Sequence, residues 1–383
     1  MKAATAPLAR LVALLPDIAA AAARHDRAAS VPYDSLALLR DAGLPGLTVP
    51  AALGGGGAGL RQAADAIALL GSACPASALI LVMQYIKHAA LARSPAWPTA
   101  LRQRVQREAV AEGALINALR VEPELGSPTR GGLPATVARR TADGWVLSGH
   151  KRYSTGVPAL RWLEVHGRTD EAEPRIGSFL VPADAPGIEI RETWDHLGLR
   201  ASGSHDVLFH AVPIPADHAI GLALPGPTSG PDAVQMAWNA VLVTAVYTGV
   251  ARAARDWTLE FLRRRAPGSL GAPLAILPRV QEAVGQVEGL IAANTRMAEA
   301  LALATDAGQP PSAAEAGVLK VILAENAVRA VECCTLLAGN HALDRANPLE
   351  RHWRDVQCAR MHAPAADAAQ AAAGRAALAV GAA

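Results

Sequence analysis

Apolar residues recur at helical spacing in the first and last thirds of the chain. Between residues 4 and 42, leucines and an isoleucine return every three or four positions, with one break between Arg27 and Pro32. The same spacing resumes from Leu60 past Leu91, and again over 233–264, 280–307 and 313–337. Gly339-Asn340 then supplies a C-cap for the last of these segments. The pattern predicts packed helices at both ends of the chain.

The middle third has a shorter period that is typical of strands. Six runs, 135–140, 145–148, 162–167, 176–181, 188–192 and 207–210, alternate with turn residues between positions 115 and 212. Asp143-Gly144 separates two of them and is a strong hairpin signal, because both residues tolerate a positive φ. The pattern predicts a small antiparallel barrel or sandwich and therefore three domains, at 1–112, 113–220 and 221–383.

Composition and charge exclude several classes of protein. The chain has 383 residues, of which 51% are apolar, and 36 basic residues nearly balance 34 acidic ones. Its densest basic run, 263–265, fits a solvated helix end, so nucleic acid is excluded as a partner. No apolar stretch reaches the ~18 residues of a membrane span, and four cysteines without metal-site spacing indicate reduced thiols and no metal. We therefore expect a cytoplasmic protein that does not enter a membrane.

Four motifs occur in a characteristic order along the chain. They are Val49-Pro50 followed by Gly54-Gly55-Gly56, Val121-Glu122-Pro123 with Gly126-Ser127, Gly149 to Gly156 (GHKRYSTG), and Gly198 to Ser204 (GLRASGS). With the helix–strand–helix order, they resemble the acyl-CoA dehydrogenase superfamily. The resemblance implies an α+β fold with an N-terminal helical domain, a middle β-barrel or sandwich and a C-terminal four-helix bundle. It also implies bound FMN or FAD and a homotetramer.

The resemblance assigns cofactor contacts to six residues. They are Tyr153, Ser154, Thr155, Arg265, Gly339 and Asn340. The first three belong to a stretch that lies against the flavin ring in this family, although Ser154 and Thr155 alone are ordinary strand residues. Arg265 matches an arginine that reaches a neighbouring subunit's cofactor, but it also suits a helix C-terminus. Gly339 and Asn340 fall in a family Gly-Gly-x-Gly contact that has lost two glycines here, a departure easier to understand for FMN than for FAD.

The carboxylate needed for acyl-CoA dehydrogenation is missing. A base must remove the α-proton while the flavin takes the hydride. In the family this Glu follows an R-x-x-R-D motif, present here at 351–355, but its place holds Ala363, and its alternative place falls near Asn239. His362 immediately precedes Ala363. This resembles the reduced-flavin monooxygenases typified by dibenzothiophene monooxygenase, in which a histidine in this register assists catalysis. A lone histidine on an apolar helix is otherwise often structural.

Three further polar residues are candidates for the substrate pocket. His88 follows Gln84 by about one helical turn, so the two share a face of a helix on which the family places part of its pocket. Asn117, before the turn at Glu122, lies near the same place. Each of them also suits a structural role, since buried histidines and amides are usually hydrogen-bonded within the protein.

Three functions follow from the resemblance. The first is a monooxygenase that receives reduced flavin from a separate reductase and oxygenates a small organic substrate, with His362 assisting proton transfer. The second is an acyl-CoA dehydrogenase with a relocated base that passes electrons to an electron-transfer flavoprotein. The third is a non-catalytic family member that keeps the fold for assembly or ligand binding.

Overall fold

A computed structural model describes residues 2–125, 132–225 and 232–379. Gly126-Ser127 of the second motif lies outside the described residues. The chain begins with five helices, α1 (Lys2–Ala28), α2 (Tyr33–Asp41), α3 (Leu60–Ala73), α4 (Pro75–Arg93) and α5 (Thr99–Ala111). The predicted break after Arg27 is confirmed. Pro75 begins α4, where a missing N–H costs nothing. The helical spacing from Leu60 past Leu91 did not predict α5 as a separate helix.

The middle third forms one eight-stranded sheet. Its strands are β1 (Ile116–Leu119), β2 (Val137–Arg140), β3 (Gly144–Ser154), β4 (Trp162–Thr169), β5 (Ile176–Pro182), β6 (Ile188–Arg191), β7 (His205–Pro215) and β8 (Ala219–Ala223). The order is β6-β7-β3-β2-β4-β5-β8, with β1 paired to β4. The hairpin predicted at Asp143-Gly144 joins β2 and β3. The sheet is mixed, however, because β4 pairs in parallel with both β1 and β2.

Five helices complete the chain. They are α6 (Ala233–Arg264), α7 (Pro278–Asp306), α8 (Ala313–Ala338), α9 (Pro348–Gln357) and α10 (Ala366–Ala379). Gly339, at φ 57°, ends α8 as predicted. Among the described helices, only α6 is long and apolar enough to cross a membrane. However, 72% of its most apolar window is buried inside the protein, as in the core helix of a bundle.

The N-terminal and C-terminal helices meet at a close crossing. Helix α6 packs against α3, α4, α7, α8 and α9. At its crossing with α3, a Cβ on Gly249 would stand 2.4 Å from the Ala68 carbonyl oxygen, and one on Gly71 would stand 2.6 Å from that of Val246. Only glycine permits this approach of the two backbones. The crossing fixes α6 relative to α4, and both helices carry residues of the site described below.

Two buried charge networks stabilise the fold, one within the sheet domain and one between helices. On the sheet, Lys151 Nζ lies 2.6 Å from Glu122 Oε1, and both side chains are almost fully buried. Although burial opposes its ionisation, hydrogen bonds from Lys151 and Thr136 hold the pKa of the Glu122 carboxyl below its usual range. On α9, Arg354 pairs with Asp26 of α1 at 2.6 Å. Helices α1 and α9 are therefore fixed against one another.

Candidate active site

The end of β3 carries the residues predicted to meet the flavin. Tyr153 has a left-handed φ of 55°, and its half-exposed ring lies edge-on to Trp194 and His196. Ser154 is buried, and its hydroxyl has no hydrogen-bond partner among the described residues. Thr155 is only slightly exposed. Ser154 is the last residue of β3, and Thr155 lies in the turn that follows it.

Three hydroxyls form a chain that ends at Thr155. Ser204 donates to Thr155 Oγ1 at 3.0 Å, and the Ser202 and Ser204 hydroxyls are 2.8 Å apart. Because Ser204 gives its hydrogen to Thr155, Ser202 must donate to Ser204. The Thr155 hydroxyl hydrogen is then left without an acceptor in the part of the chain that the structure describes. A flavin ring offers acceptors such as N5 and C4=O on its polar rim, so Thr155 fits this cofactor.

Helix α4 and strand β1 hold the three predicted substrate residues. Both Gln84 donor hydrogens face acceptors at the Pro45 and Ala114 carbonyls and His88 Nε2, and its oxygen accepts from the Ile116 amide at 2.8 Å. The amide of Gln84 is thus fully engaged in joining α4 to β1. Its predicted contact with substrate stays a prediction, and the geometry favours a structural role.

His88 and Asn117 are also buried, with different partners. Burial, reinforced by the charge of Lys87, lowers the pKa of His88 to about 3, so the ring is neutral. Its Nδ1 has no partner among the described residues. Asn117 donates to the Thr155 carbonyl at 3.1 Å, which ties β1 to the end of β3. Their role toward a substrate remains a prediction.

His362 lies in the turn between α9 and α10, where its ring contacts the buried Tyr247 of α6. The phenol oxygen and His362 Nε2 are hydrogen-bonded. Burial lowers the pKa of His362 to about 4, and the nearby Lys320 ammonium contributes to the shift. Burial also raises the pKa of the Tyr247 phenol well above its usual value. Both groups are therefore neutral at pH 7.

The backbone of this turn is held by two bundle helices. Lys320 of α8 donates to the His362 carbonyl at 2.5 Å and to that of Pro364 at 3.3 Å. Asn239 of α6 donates to the Ala363 carbonyl at 2.8 Å. Ala363 and Asn239 are the two positions at which the sequence lacks the expected Glu, so both vacant places meet at one point in the structure. That point holds an amide and a carbonyl, which cannot remove a carbon-bound proton at neutral pH.

Asp355, the last residue of the R-x-x-R-D motif, joins this turn to the sheet. Its carboxylate accepts from the Leu199 amide at 2.7 Å, in the loop that leads to Ser202 and Ser204. Burial raises the pKa of Asp355 to about 6 despite that hydrogen bond. The carboxylate is also close enough to Tyr247 to oppose ionisation of the phenol. Asp355 therefore joins α9, the helix before the His362 turn, to the loop that leads to the hydroxyl chain.

The remaining predicted cofactor residues lie apart from this centre within the chain. Arg265 is the exposed C-cap of α6, and its side chain forms no ion pair within residues 2–125, 132–225 and 232–379. Gly339 and Asn340 are exposed at the end of α8, and a Cβ on Gly339 would meet nothing within 4 Å. Arg265 stays a predicted contact to the cofactor of a neighbouring subunit, and Gly339 and Asn340 stay predicted cofactor contacts.

Sequence reasoning missed three residues of the site. Tyr247 and Lys320 contact His362, and Ser204 orients Thr155. A signal existed for Lys320, because it lies on the apolar face of α8 at helical spacing from Leu323 and Ala324, and a lysine there must find buried acceptors. Tyr247 gives no such signal, since a tyrosine in a core helix usually only fills space.

Family models match most of the chain. The N-terminal domain of acyl-CoA dehydrogenase matches residues 15–93, the middle domain matches 120–212, and the C-terminal domain matches 241–367. Two similar proteins are YdbM of Bacillus subtilis (strain 168), named as an acyl-CoA dehydrogenase, and the amino sugar nitrososynthase DnmZ of Streptomyces peucetius. YdbM is 33% identical over 90% of this chain and 89% of its own length. DnmZ is 29% identical over 90% of this chain and 85% of its own.

Solved structures share the fold over nearly the whole length. KijD3, in complex with FMN and dTDP-3-amino-2,3,6-trideoxy-4-keto-3-methyl-D-glucose, superposes with a TM-score of 0.86 at 30% identity, over 99% of this chain and 94% of KijD3. The dibenzothiophene monooxygenase TdsC of Paenibacillus sp. A11-2 reaches a TM-score of 0.78 at 21% identity, over 96% of both chains, and shows the fold alone. The predicted α+β fold, with helical domains on either side of a sheet domain, is confirmed.

Proposed function

Since the chain belongs to the acyl-CoA dehydrogenase family, we propose that this flavin-dependent oxidoreductase is a monooxygenase that uses reduced flavin to oxygenate a small organic substrate. The cofactor is FMN or FAD. The observation that carries the proposal is the turn at 362–364. A neutral histidine stands beside the point where both places for a catalytic Glu meet, and Ala363 and Asn239 occupy those places.

When bound, the reduced flavin supplies the two electrons that reduce O2. Thr155 would donate a hydrogen bond to the bound flavin, and Tyr153 would contribute its half-exposed ring to the cofactor site. The proposed pocket is also lined by His88 and Asn117, while Gln84 holds α4 against β1. Burial excludes water from this centre, which favours oxygen transfer over wasteful release of reduced oxygen.

His362 is the residue proposed to assist proton transfer in the reaction. Its pKa of about 4 leaves the ring neutral at pH 7, with one nitrogen protonated and the other able to accept. Such a ring can assist proton transfer to oxygen by donating a hydrogen bond from its N–H without itself becoming charged. We further propose that a separate flavin reductase delivers the reduced flavin, that Arg265 contacts the cofactor of a neighbouring subunit in a tetramer, and that Gly339 and Asn340 are cofactor contacts.

Acyl-CoA dehydrogenation is the second candidate function, favoured by the 33% identity to YdbM. It requires a carboxylate that faces the substrate α-carbon. The buried carboxylate near the His362 turn, Asp355, is engaged by the Leu199 amide and pairs α9 with the sheet. Acyl-CoA dehydrogenation would therefore require a base that the described site does not contain.

One pair of rapid-mixing experiments separates the two functions. Protein loaded anaerobically with reduced FMN or FAD is mixed with oxygenated buffer, and oxygen concentration and flavin absorbance are followed together. A monooxygenase consumes oxygen well before the oxidised flavin spectrum returns, and His362→Ala shortens that delay, whereas exposed His210→Gln leaves it unchanged. Return of the spectrum at the rate of free flavin contradicts the proposal. Bleaching of the oxidised flavin by acyl-CoA without oxygen would establish the dehydrogenase.

A further inference from the structure

The hydrogen bond between Tyr247 and His362 decides where the imidazole carries its proton. Tyr247 is fully buried, and its hydroxyl has no other partner in the described part of the chain. If His362 Nε2 donated to the phenol oxygen, the phenol hydrogen would be buried with no acceptor, at a cost of about 1–3 kcal/mol. If the phenol donates instead, both groups are satisfied. The phenol is therefore the donor, and Nε2 is the acceptor.

A neutral imidazole that accepts at Nε2 carries its hydrogen on Nδ1. This second nitrogen bonds no group in residues 2–125, 132–225 and 232–379. This nitrogen is not fully buried, so it is open to a ligand or to solvent. The ring therefore has one nitrogen held by the core and one N–H free to act.

The turn that carries the ring is held in place through its backbone carbonyls. Lys320 holds the carbonyls on either side of Ala363, and Asn239 holds that of Ala363 itself. Lys320 is almost fully buried, so these carbonyls are its solvation. The two donors come from α8 and α6, and α6 also carries Tyr247. Helix α6 therefore contacts both the turn, through Asn239, and the ring, through Tyr247.

We propose that Tyr247 is a positioning residue that holds His362 as the tautomer with its proton on Nδ1, where the N–H donates a hydrogen bond to the reacting oxygen. The proposal rests on the monooxygenase function. In that reaction, one atom of O2 enters the substrate and the other leaves as water, while reduced flavin becomes oxidised flavin. Reduced flavin supplies both electrons and one hydrogen of that water, solvent supplies the other as a proton, and no other oxidant or reductant is needed. The His362 Nδ1–H assists this proton transfer by its hydrogen bond to the oxygen that leaves as water, and the ring keeps its proton.

Charged groups on the surrounding elements determine how this donor responds to pH. Lys320 on α8 is positive and acts directly on His362, while Glu325 on the same helix favours the Lys320 charge. Asp355 and Cys358, on the side of α9, act on Tyr247. Loss of the Tyr247 hydroxyl leaves Nε2 without its donor and able to take up a proton. Because burial and the Lys320 charge, which lower the pKa of His362, stay in place in Tyr247→Phe, the ring of this variant should remain neutral at pH 7 and differ from the wild type in its tautomer alone.

The test uses Tyr247→Phe, with Tyr85→Phe as the matched control. Tyr85 is another fully buried tyrosine of the helical core, and its hydroxyl has no partner among the described residues. The first readout is the 15N spectrum of full-length protein with 15N-labelled histidine rings, with the His362 signal assigned by His362→Gln. The two nitrogen shifts report the tautomer without flavin or substrate.

We expect the wild type and Tyr85→Phe to carry the proton on Nδ1, and Tyr247→Phe to shift toward Nε2. We also expect Tyr247→Phe to lower kcat for oxygenation roughly 100-fold with little change in KM, the low end of the range for loss of one hydrogen-bond donor to a reacting oxygen. A wild-type proton on Nε2 overturns the assignment, as does an unchanged tautomer in Tyr247→Phe. If the wild type shows the Nδ1 proton but no oxygenation, the tautomer stands and the monooxygenase function fails.

Discussion

The neutral state of His362 predicts a specific acid sensitivity of the fold. In an unfolded chain the imidazole has a pKa near 6.5, whereas burial and Lys320 lower it to about 4 in the folded protein. The unfolded state therefore binds a proton more readily than the native state does below pH 6.5. The stability contributed by the neutral ring is complete above pH 6.5 and is lost as the pH falls toward 4.

The size of this effect follows from the two pKa values. A difference of about 2.5 pKa units corresponds to about 3 kcal/mol when the loss is complete. At pH 5 the unfolded imidazole is almost fully protonated and the native one is mostly neutral, so about 2 kcal/mol of that stability is already gone. His362→Gln removes the titrating group, while its side-chain oxygen can still accept the hydrogen bond from Tyr247.

The assay compares the free energy of unfolding in urea at pH 7.5 and pH 5. The wild type should lose about 2 kcal/mol more than His362→Gln over this interval. Other buried titrating groups, including His352 and Asp355, contribute equally to both proteins and cancel in the difference. His210→Gln, on the surface of β7, should follow the wild-type curve. Equal losses in the wild type and His362→Gln would refute the argument that the ring is kept neutral by its surroundings.

Three further outcomes test the site and the packing around it. Thr155→Val should weaken FMN binding roughly tenfold, the value of one hydrogen bond, whereas Ser154→Ala should change it little. Equilibrium titration with FMN measures both affinities, and a greater loss of affinity in Ser154→Ala than in Thr155→Val would contradict the assignment. Lys151→Met should destabilise the protein by about 3–5 kcal/mol, because it leaves the Glu122 carboxylate buried without its partner, and an unchanged thermal midpoint would contradict this. Gly249→Ala should cost at least about 1–3 kcal/mol in urea unfolding by forcing α6 away from α3, and wild-type stability would mean that the crossing can relax.

The helices and most strands could be predicted because their signals are local. The bounds predicted for α6, 233–264, agree with those observed, and the Asp143-Gly144 hairpin follows from two residues. Strands β1 and β8 were missed because their sequences, INAL and AIGLA, do not alternate between apolar and polar residues, whereas the equally short β2 and β6 lie in recognisable runs. The parallel pairs made by β4 were missed because no local pattern identifies a partner strand that lies far along the chain.

The candidate site shows where local patterns stop being informative. Helical spacing correctly put Gln84 and His88 on one face of α4, but spacing cannot tell that backbone carbonyls and an amide already engage the Gln84 side chain. Tyr247 and His362 are 115 residues apart, and their contact depends on how α6 packs against the turn after α9. Only tertiary structure brings such pairs together.

The geometry of the 362–364 turn explains how one fold can host two chemistries. Asn239 and Ala363 come from segments 124 residues apart and meet in one hydrogen bond, so the two positions at which the family places its Glu are neighbours in space. His362 is only one residue earlier, but the turn is not helical, and its ring is directed to Tyr247 instead. The residues on this turn therefore decide whether the site holds a carboxylate or a neutral imidazole. In this chain the turn holds the imidazole, and this favours hydrogen-bond donation to oxygen over abstraction of a proton from carbon.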